Sequence, residues 1–185
     1  MEKMANGLIK VSSFIYDREI DYSLDINTPW INDLLISLEN DQILDKERPT
    51  TKGFLNINLT FKRIKDPTLF DCIILKGNLS SLYYCSCIRC LELTHRNLNI
   101  DLNCCFISSE FEESELIDDE GKILIEIEDL EVFFYQKGVL NLKEYLQVHI
   151  NMSVDPLPLH DENCKGLCPE CGTNLNLSKC PHVNR

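Results

Sequence analysis

The stretch from Leu157 to Arg185 carries four cysteines and two histidines but few large apolar side chains. Such a tail cannot bury enough surface to fold unaided, so its order must come from a cross-link or a metal ion. Cys168-Pro169-Glu170-Cys171-Gly172 has the Cys-x2-Cys spacing of a zinc knuckle, in which a tight turn aims two thiolates at one ion. Gly172 supplies the positive φ that the turn needs. Cys180 and His182 follow and can complete a tetrahedral Zn2+ site.

A second pair, Cys87-Ile88-Arg89-Cys90, comes directly after a strand-like run. Counting donors, Cys87, Cys90, His160 and Cys164 make a possible second four-ligand site beside Cys168, Cys171, Cys180 and His182. A single ribbon built from Cys87, Cys90, Cys168 and Cys171 is equally compatible with the spacing, with Cys85 as a spare ligand. One or two structural zinc ions are expected. Four protein ligands leave no open coordination position, and the chain has no Gly-rich phosphate loop, G-x-S-x-G or H-E-x-x-H. An enzyme acting on a small-molecule substrate is therefore not expected. The rival chemistry is thiol redox at Cys87 and Cys90, although oxidoreductases place that motif at a strand-to-helix junction.

The first twenty residues hold Lys3, Lys10, Asp17, Arg18 and Glu19 and resemble no secretory signal. The longest uncharged run, Gly77 to Ile88, is 12 residues, too short to span a bilayer. A reducing cytosol is expected, which turns the ten cysteines away from disulfides. Cys72, Cys104 and Cys105 lie in apolar runs and read as small buried hydrophobes.

A net charge of −12 disfavours broad binding to nucleic acid, so any RNA contact must be local. Between Lys46 and Lys65 the chain holds Lys46, Arg48, Lys52, Lys62, Arg63 and Lys65 against only Glu47. These, with Arg89 in the knuckle and Lys165, Lys179 and Arg185 of the tail, are the candidate RNA or partner contacts. From Glu110 to Glu131 there are eleven acidic residues and one basic residue, Lys122, which reads as a solvated loop and edge strand able to attract a basic protein.

Thr28 and Pro29 open a helix with Trp30, Ile31, Leu34, Leu35 and Leu38 on one face. Leu55, Ile57, Leu59 and Phe61 alternate with polar residues, as do Leu98, Ile100, Leu102, Cys104 and Phe106. Between them, Lys65-Asp66-Pro67 and Gly77-Asn78 mark turns that bound strands Leu69 to Leu75 and Leu79 to Cys85. Asn141 with Glu144 resembles a capping box, and Leu142, Tyr145, Leu146, His149 and Met152 mark the helix face behind it. The expected fold is α+β: an antiparallel β-meander with two or three short helices over residues 1–156, and a small zinc-knuckle module over 157–185.

Cys-Ile-Arg-Cys-Leu at Cys87 to Leu91, taken with Cys-Lys-Gly-Leu-Cys-Pro-Glu-Cys-Gly-Thr-Asn-Leu-Asn at Cys164 to Asn176, resembles the YceD family of bacterial and plastid proteins. The likeness extends over the helix at Asn141 to Met152 and the Pro-Leu-Pro-Leu-His stretch ending at His160, and is looser in the N-terminal third. It implies a part in accumulation of large-subunit ribosomal RNA, with that rRNA or a basic ribosomal protein as partner. The family tail usually closes with Cys-x-Cys, where this chain has Cys180-Pro181-His182; histidine is a competent zinc ligand. A purely protein-binding adaptor, docking a basic ribosomal protein on Glu110 to Glu131, is the third reading.

Overall fold

The computed structural model describes Met4 and residues 6–43, 52–125 and 128–182. It contains two α-helices and a mostly antiparallel sheet, in the order β1 (Leu8–Lys10), β2 (Glu19–Leu24), α1 (Pro29–Gln42), β3 (Phe54–Asp66), β4 (Phe70–Ser86), β5 (Leu93–Ser108), β6 (Lys122–Ile125), β7 (Glu128–Tyr135), β8 (Val139–Asn141) and α2 (Leu142–Ser153). Six strands form one sheet in the order β2-β3-β4-β5-β7-β6, while β1 pairs with β8. The meander holds from β2 to β5. It then breaks, because β7 joins β5 in parallel and β6 folds back as the edge.

Period-two burial puts two cores on opposite faces of the long strands. Leu55, Ile57, Leu59 and Phe61 of β3, Ile73 and Leu75 of β4, and Leu102, Cys104 and Phe106 of β5 face α1 and α2. One residue out of phase, Ile64, Cys72, Ile74, Cys105 and Ile107 point the other way into a smaller core. Neighbouring Cys104 and Cys105 thus enter different cores, both fully buried as expected of Cys72, Cys104 and Cys105.

The acidic segment is more than a solvated loop. Phe111, Ile117, Ile123, Ile125 and Leu130 close the smaller core, while Glu110, Glu112, Glu113, Glu115, Asp118, Asp119 and Glu120 remain exposed. The segment behaves as a lid with an apolar underside and a charged outer surface.

The expected turn at Gly77-Asn78 is absent, and β4 runs unbroken for 17 residues. A Cβ on Gly77 would stand 2.1 Å from the Asn58 carbonyl oxygen and 3.0 Å from Leu59 Cα. Glycine here admits a close strand approach instead of marking a turn. The Lys65-Asp66-Pro67 turn does form, with Asp66 Oδ1 accepting from the Thr68 and Leu69 amides.

Helix α1 begins at Pro29 behind Thr28, whose side chain makes no capping bond; its carbonyl accepts from Ile31 and Asn32 instead. In α2 the Asn141 cap forms, its Oδ1 accepting from the Glu144 amide at 3.2 Å, while Glu144 Oε2 accepts from the Asn141 side-chain Nδ2 at 3.0 Å in place of the backbone amide of a capping box. Ile150 joins the buried face, while Met152 in the last turn is 81% exposed.

Gly77→Val is expected to lower stability by at least about 1–3 kcal/mol, because the β3 backbone opposite cannot give way. Chemical denaturation followed by circular dichroism measures this; an unchanged midpoint would show that the strands separate freely at that point.

Candidate metal centre

The β4–β5 hairpin ends in the loop Cys87 to Glu92. There the Cys87 amide donates to the Glu92 carbonyl at 2.9 Å and the Leu91 amide to the Cys87 carbonyl at 2.9 Å. The loop closes through Leu91 at φ 63°. The same pattern recurs in the tail: the Cys168 amide donates to the Thr173 carbonyl at 2.9 Å, the Gly172 amide to the Cys168 carbonyl at 2.8 Å, and Gly172 has φ 71°. Both loops are therefore knuckles of one geometry, with leucine in the first at the position glycine holds in the second. A left-handed leucine carries a steric cost that glycine in the second knuckle avoids.

The tail reaches the hairpin loop through a short set of bonds. Ile88 donates its amide to the Pro158 carbonyl at 3.0 Å. Arg96 of β5 donates to the Leu159 carbonyl and pairs with Asp155 at 3.6 Å. These bonds bring His160 alongside Cys87 and Cys90. Cys90 Sγ lies 3.1 Å from His160 Nδ1, and Cys87 Sγ lies 3.8 Å from Cys164 Sγ. In the second cluster Cys180 Sγ lies 3.3 Å from both Cys171 Sγ and His182 Nδ1.

Two donor groups result: Cys87, Cys90, His160 and Cys164, and Cys168, Cys171, Cys180 and His182, each with its donor atoms within 4.8 Å of one another. Either could hold a metal ion. With Zn–S bonds of about 2.3 Å, a tetrahedral site has sulfur–sulfur edges of about 3.8 Å, which is the scale of both clusters. Cys168 and Cys171 are grouped apart from Cys87 and Cys90. Cys85 lies outside both groups, in the main core. Each histidine turns Nδ1 to sulfur and Nε2 to a carboxylate: His160 to Glu92 at 3.5 Å, His182 to Glu170 at 3.7 Å. That outward carboxylate fixes the ring of a metal-binding histidine, and the sequence alone did not single out Glu92 or Glu170 for it.

The thiols of each cluster are driven apart in acidity. Burial pushes the Cys87 thiol up, but hydrogen bonds from His160 and the loop backbone outweigh it and bring it down to about 6. Cys90 is pushed up to about 12, chiefly by burial and then by the neighbouring sulfurs. The Cys87 thiolate in turn raises His160 above the ordinary histidine value. In the second cluster the Thr173 hydroxyl and amide, with Cys180 and His182, lower Cys171 to about 6. The His182 amide lowers Cys180, yet burial and the adjacent Cys171 and Cys168 prevail and hold it at about 11. Cys87 and Cys171 can thus form thiolates readily, and a cation is what would let Cys90 and Cys180 ionise.

Lys46 and Arg48 fall outside the described residues, as does Arg185. Lys52 and Lys65 are exposed and Lys62 is half-buried. Arg63 is committed: it bonds Asp71 at 3.0 Å and the Phe14 carbonyl at 3.1 Å, and lies 4.1 Å over the Tyr16 ring. Arg89 is exposed, yet its Nη1 donates to the Cys164 carbonyl at 3.0 Å, joining the knuckle to the tail. His149 packs on Phe133 and Tyr145 and faces Glu131 at 3.4 Å. No helix among the described residues is long and apolar enough to cross a membrane.

The family model described as large ribosomal RNA subunit accumulation protein YceD matches residues 75–185, a span that contains both clusters and most of the strand leading into the first. Comparison with curated proteins and with solved structures finds no match.

Because Cys90 and Cys180 hold their protons while the clusters are free of metal, loading with Zn2+ at pH 7.5 is expected to release protons. Apparent affinity should fall with each step down in pH, and more steeply below about 6, where Cys87 and Cys171 of the metal-free clusters also take up protons. Zinc titration in weak buffer with a pH indicator reads the release; metal uptake without protons would contradict this account. Arg96→Leu is expected to weaken metal at the first cluster about tenfold, by freeing the segment that carries His160.

Proposed function

The chain belongs to the YceD family, and from that premise we propose that it is a non-enzymatic ribosome assembly factor supporting accumulation or maturation of large-subunit (23S) rRNA. It acts by binding that rRNA or a basic ribosomal protein. The family's description names large ribosomal RNA accumulation, and the match over the clustered half of the chain is the observation that carries the reading. In this reading both clusters hold Zn2+, which suits three thiolates and an imidazole at tetrahedral spacing. Four protein donors fill the ion's coordination, so the metal is structural. Residues 157–185 form a metal-held module on the sheet domain of residues 1–156, in a cytoplasm reducing enough to keep its cysteines free.

The surface favours local RNA contact. Lys165 and Lys179 line a cleft of about 730 Å³ beside Cys180, together with Asn176 and Ser178. Lys52 and Lys65 offer further exposed cations before and at the end of β3. Arg63 and Arg89 contribute by holding structure, their guanidinium groups being bonded within the chain. A second reading rests on the lid over the smaller core: its exposed carboxylates form a surface suited to a basic ribosomal protein. A thiol redox role at Cys87 and Cys90 is less well supported, since His160 and Cys164 stand beside the pair as two further metal donors.

Protein purified without added metal should contain about two zinc ions per chain, falling to about one in the Cys168→Ser, Cys171→Ser variant. Cysteine alkylation should be slow until a chelator is added; metal-free protein that cycles between dithiol and disulfide would restore the redox reading. Replacing Lys165 and Lys179 by glutamine should weaken binding to large-subunit rRNA and reduce its salt dependence by roughly one unit of slope per lysine. Unchanged rRNA binding together with lost binding after neutralising the lid carboxylates would favour the protein partner instead.

A further inference from the structure

The side chains between the two clusters form a continuous hydrogen-bonded path. Glu92 follows the first knuckle and faces His160 Nε2 through Oε2 at 3.5 Å. Its other oxygen accepts from Asn174 Nδ2 at 3.1 Å, and Asn174 lies in the loop between Cys171 and Cys180. Asn174 Oδ1 then accepts from the amide and the side-chain nitrogen of Asn176, each at 2.9 Å. Asn176 Nδ2 also reaches Cys164 Sγ at 3.4 Å, returning the path to the first cluster. The backbone reinforces it: Lys165 donates to Asn176 Oδ1 at 2.8 Å, Leu175 to the Gly166 carbonyl at 2.9 Å, and Leu167 to the Arg89 carbonyl at 2.9 Å.

Two donors of the first cluster, His160 and Cys164, are thus oriented by side chains whose own positions depend on the loop that the second cluster closes. With no metal at Cys168, Cys171, Cys180 and His182, little apolar surface holds that loop, since Leu177 is 76% exposed. Closing it on an ion fixes Asn174 and Asn176 where they can serve the other site.

We propose that the two clusters bind metal as a coupled pair, with Glu92, Asn174 and Asn176 as the coupling element and Asn176 as a hydrogen-bond donor that tunes the Cys164 thiolate. The proposal rests on the metal-binding reading above. It adds that occupancy of one cluster raises affinity at the other, and by linkage the effect is equal in both directions. The chain would then pass from an open tail to a closed one over a narrow range of free metal. The purpose served by Asn174 and Asn176 becomes the positioning of metal ligands.

Anaerobic titration of the full reduced chain with Co2+, followed by Zn2+ competition against a chromophoric chelator, tests this. Cys171→Ser disables the second cluster and should weaken the first at least about fivefold; Cys90→Ser should weaken the second by the same factor. Asn174→Ala with Asn176→Leu leaves all eight donors in place, and in that background Cys171→Ser should change the first site by less than about twofold. With Zn2+, which is spectroscopically silent, filling the second cluster and Co2+ the first, Asn176→Leu should move the thiolate-to-cobalt band to longer wavelength, because an N–H donor stabilises the sulfur lone pair. A purely structural asparagine would not shift that band. Two sites that fill independently, with affinities unmoved by loss of the other, would overturn the coupling and leave the metal reading standing. A chain that takes up neither Co2+ nor Zn2+ would overturn both.

Discussion

A peptide segment without a core of its own can be held only where a neighbour supplies what it lacks, and here the β4–β5 hairpin turn does so. Its 17- and 16-residue strands pass through both cores and end in a loop whose backbone already holds Cys87 and Cys90 in a knuckle. The tail brings His160 and Cys164 to that loop, and everything after Cys164 follows from the attachment. The stiffness of two central strands packed on the main core thus becomes the precision of a cluster at their tip. In the two clusters burial and neighbouring sulfurs together raise the Cys90 and Cys180 thiols well above their ordinary value.

Much of this was legible from residue order because the strong signals are periodic or chemical. Alternation along β3 and β5, the Asn141 cap of α2 and the eight donors all depend on residue type at fixed spacing. What escaped depends on distance across the fold. Gly77 resembles a turn until the Asn58 carbonyl is seen against its Cα, and only pairing with β3 creates that constraint. The second core was hidden because its residues sit one position out of phase with the first, so that runs such as Cys104-Cys105-Phe106-Ile107 look uniformly apolar. Arg63 and Arg89 looked like free cations, and nothing local shows that Asp71 and the Cys164 carbonyl claim them. Glu92 and Asn174, 82 residues apart, meet only because the tail folds back.

Charge is arranged with similar economy. The chain carries its acidic excess where it also needs a cover, on the segment that buries Phe111 and Ile117 beneath exposed carboxylates. A charged rim on an apolar lid keeps an edge strand such as β6 from pairing with other chains. It also leaves the cluster end of the sheet free of that field, since the acidic turn and the hairpin tip lie at opposite ends of β4 and β5.

The histidine at position 182 bears on that separation. Three thiolates with a divalent ion leave a net charge of −1, whereas a Cys-x-Cys closure would leave −2. The second cluster adjoins the cleft lined by Lys165 and Lys179, whose positive charges an extra thiolate would partly cancel. With His182 the site keeps its four donors, gains Glu170 behind the imidazole at 3.7 Å, and imposes less negative potential on the surface proposed to meet phosphate. His182→Cys would therefore be expected to retain zinc while weakening binding to large-subunit rRNA, most strongly at low salt, where these charges are least screened. Equal RNA affinity in the two forms, measured at the same metal content, would place the phosphate contacts away from this cleft.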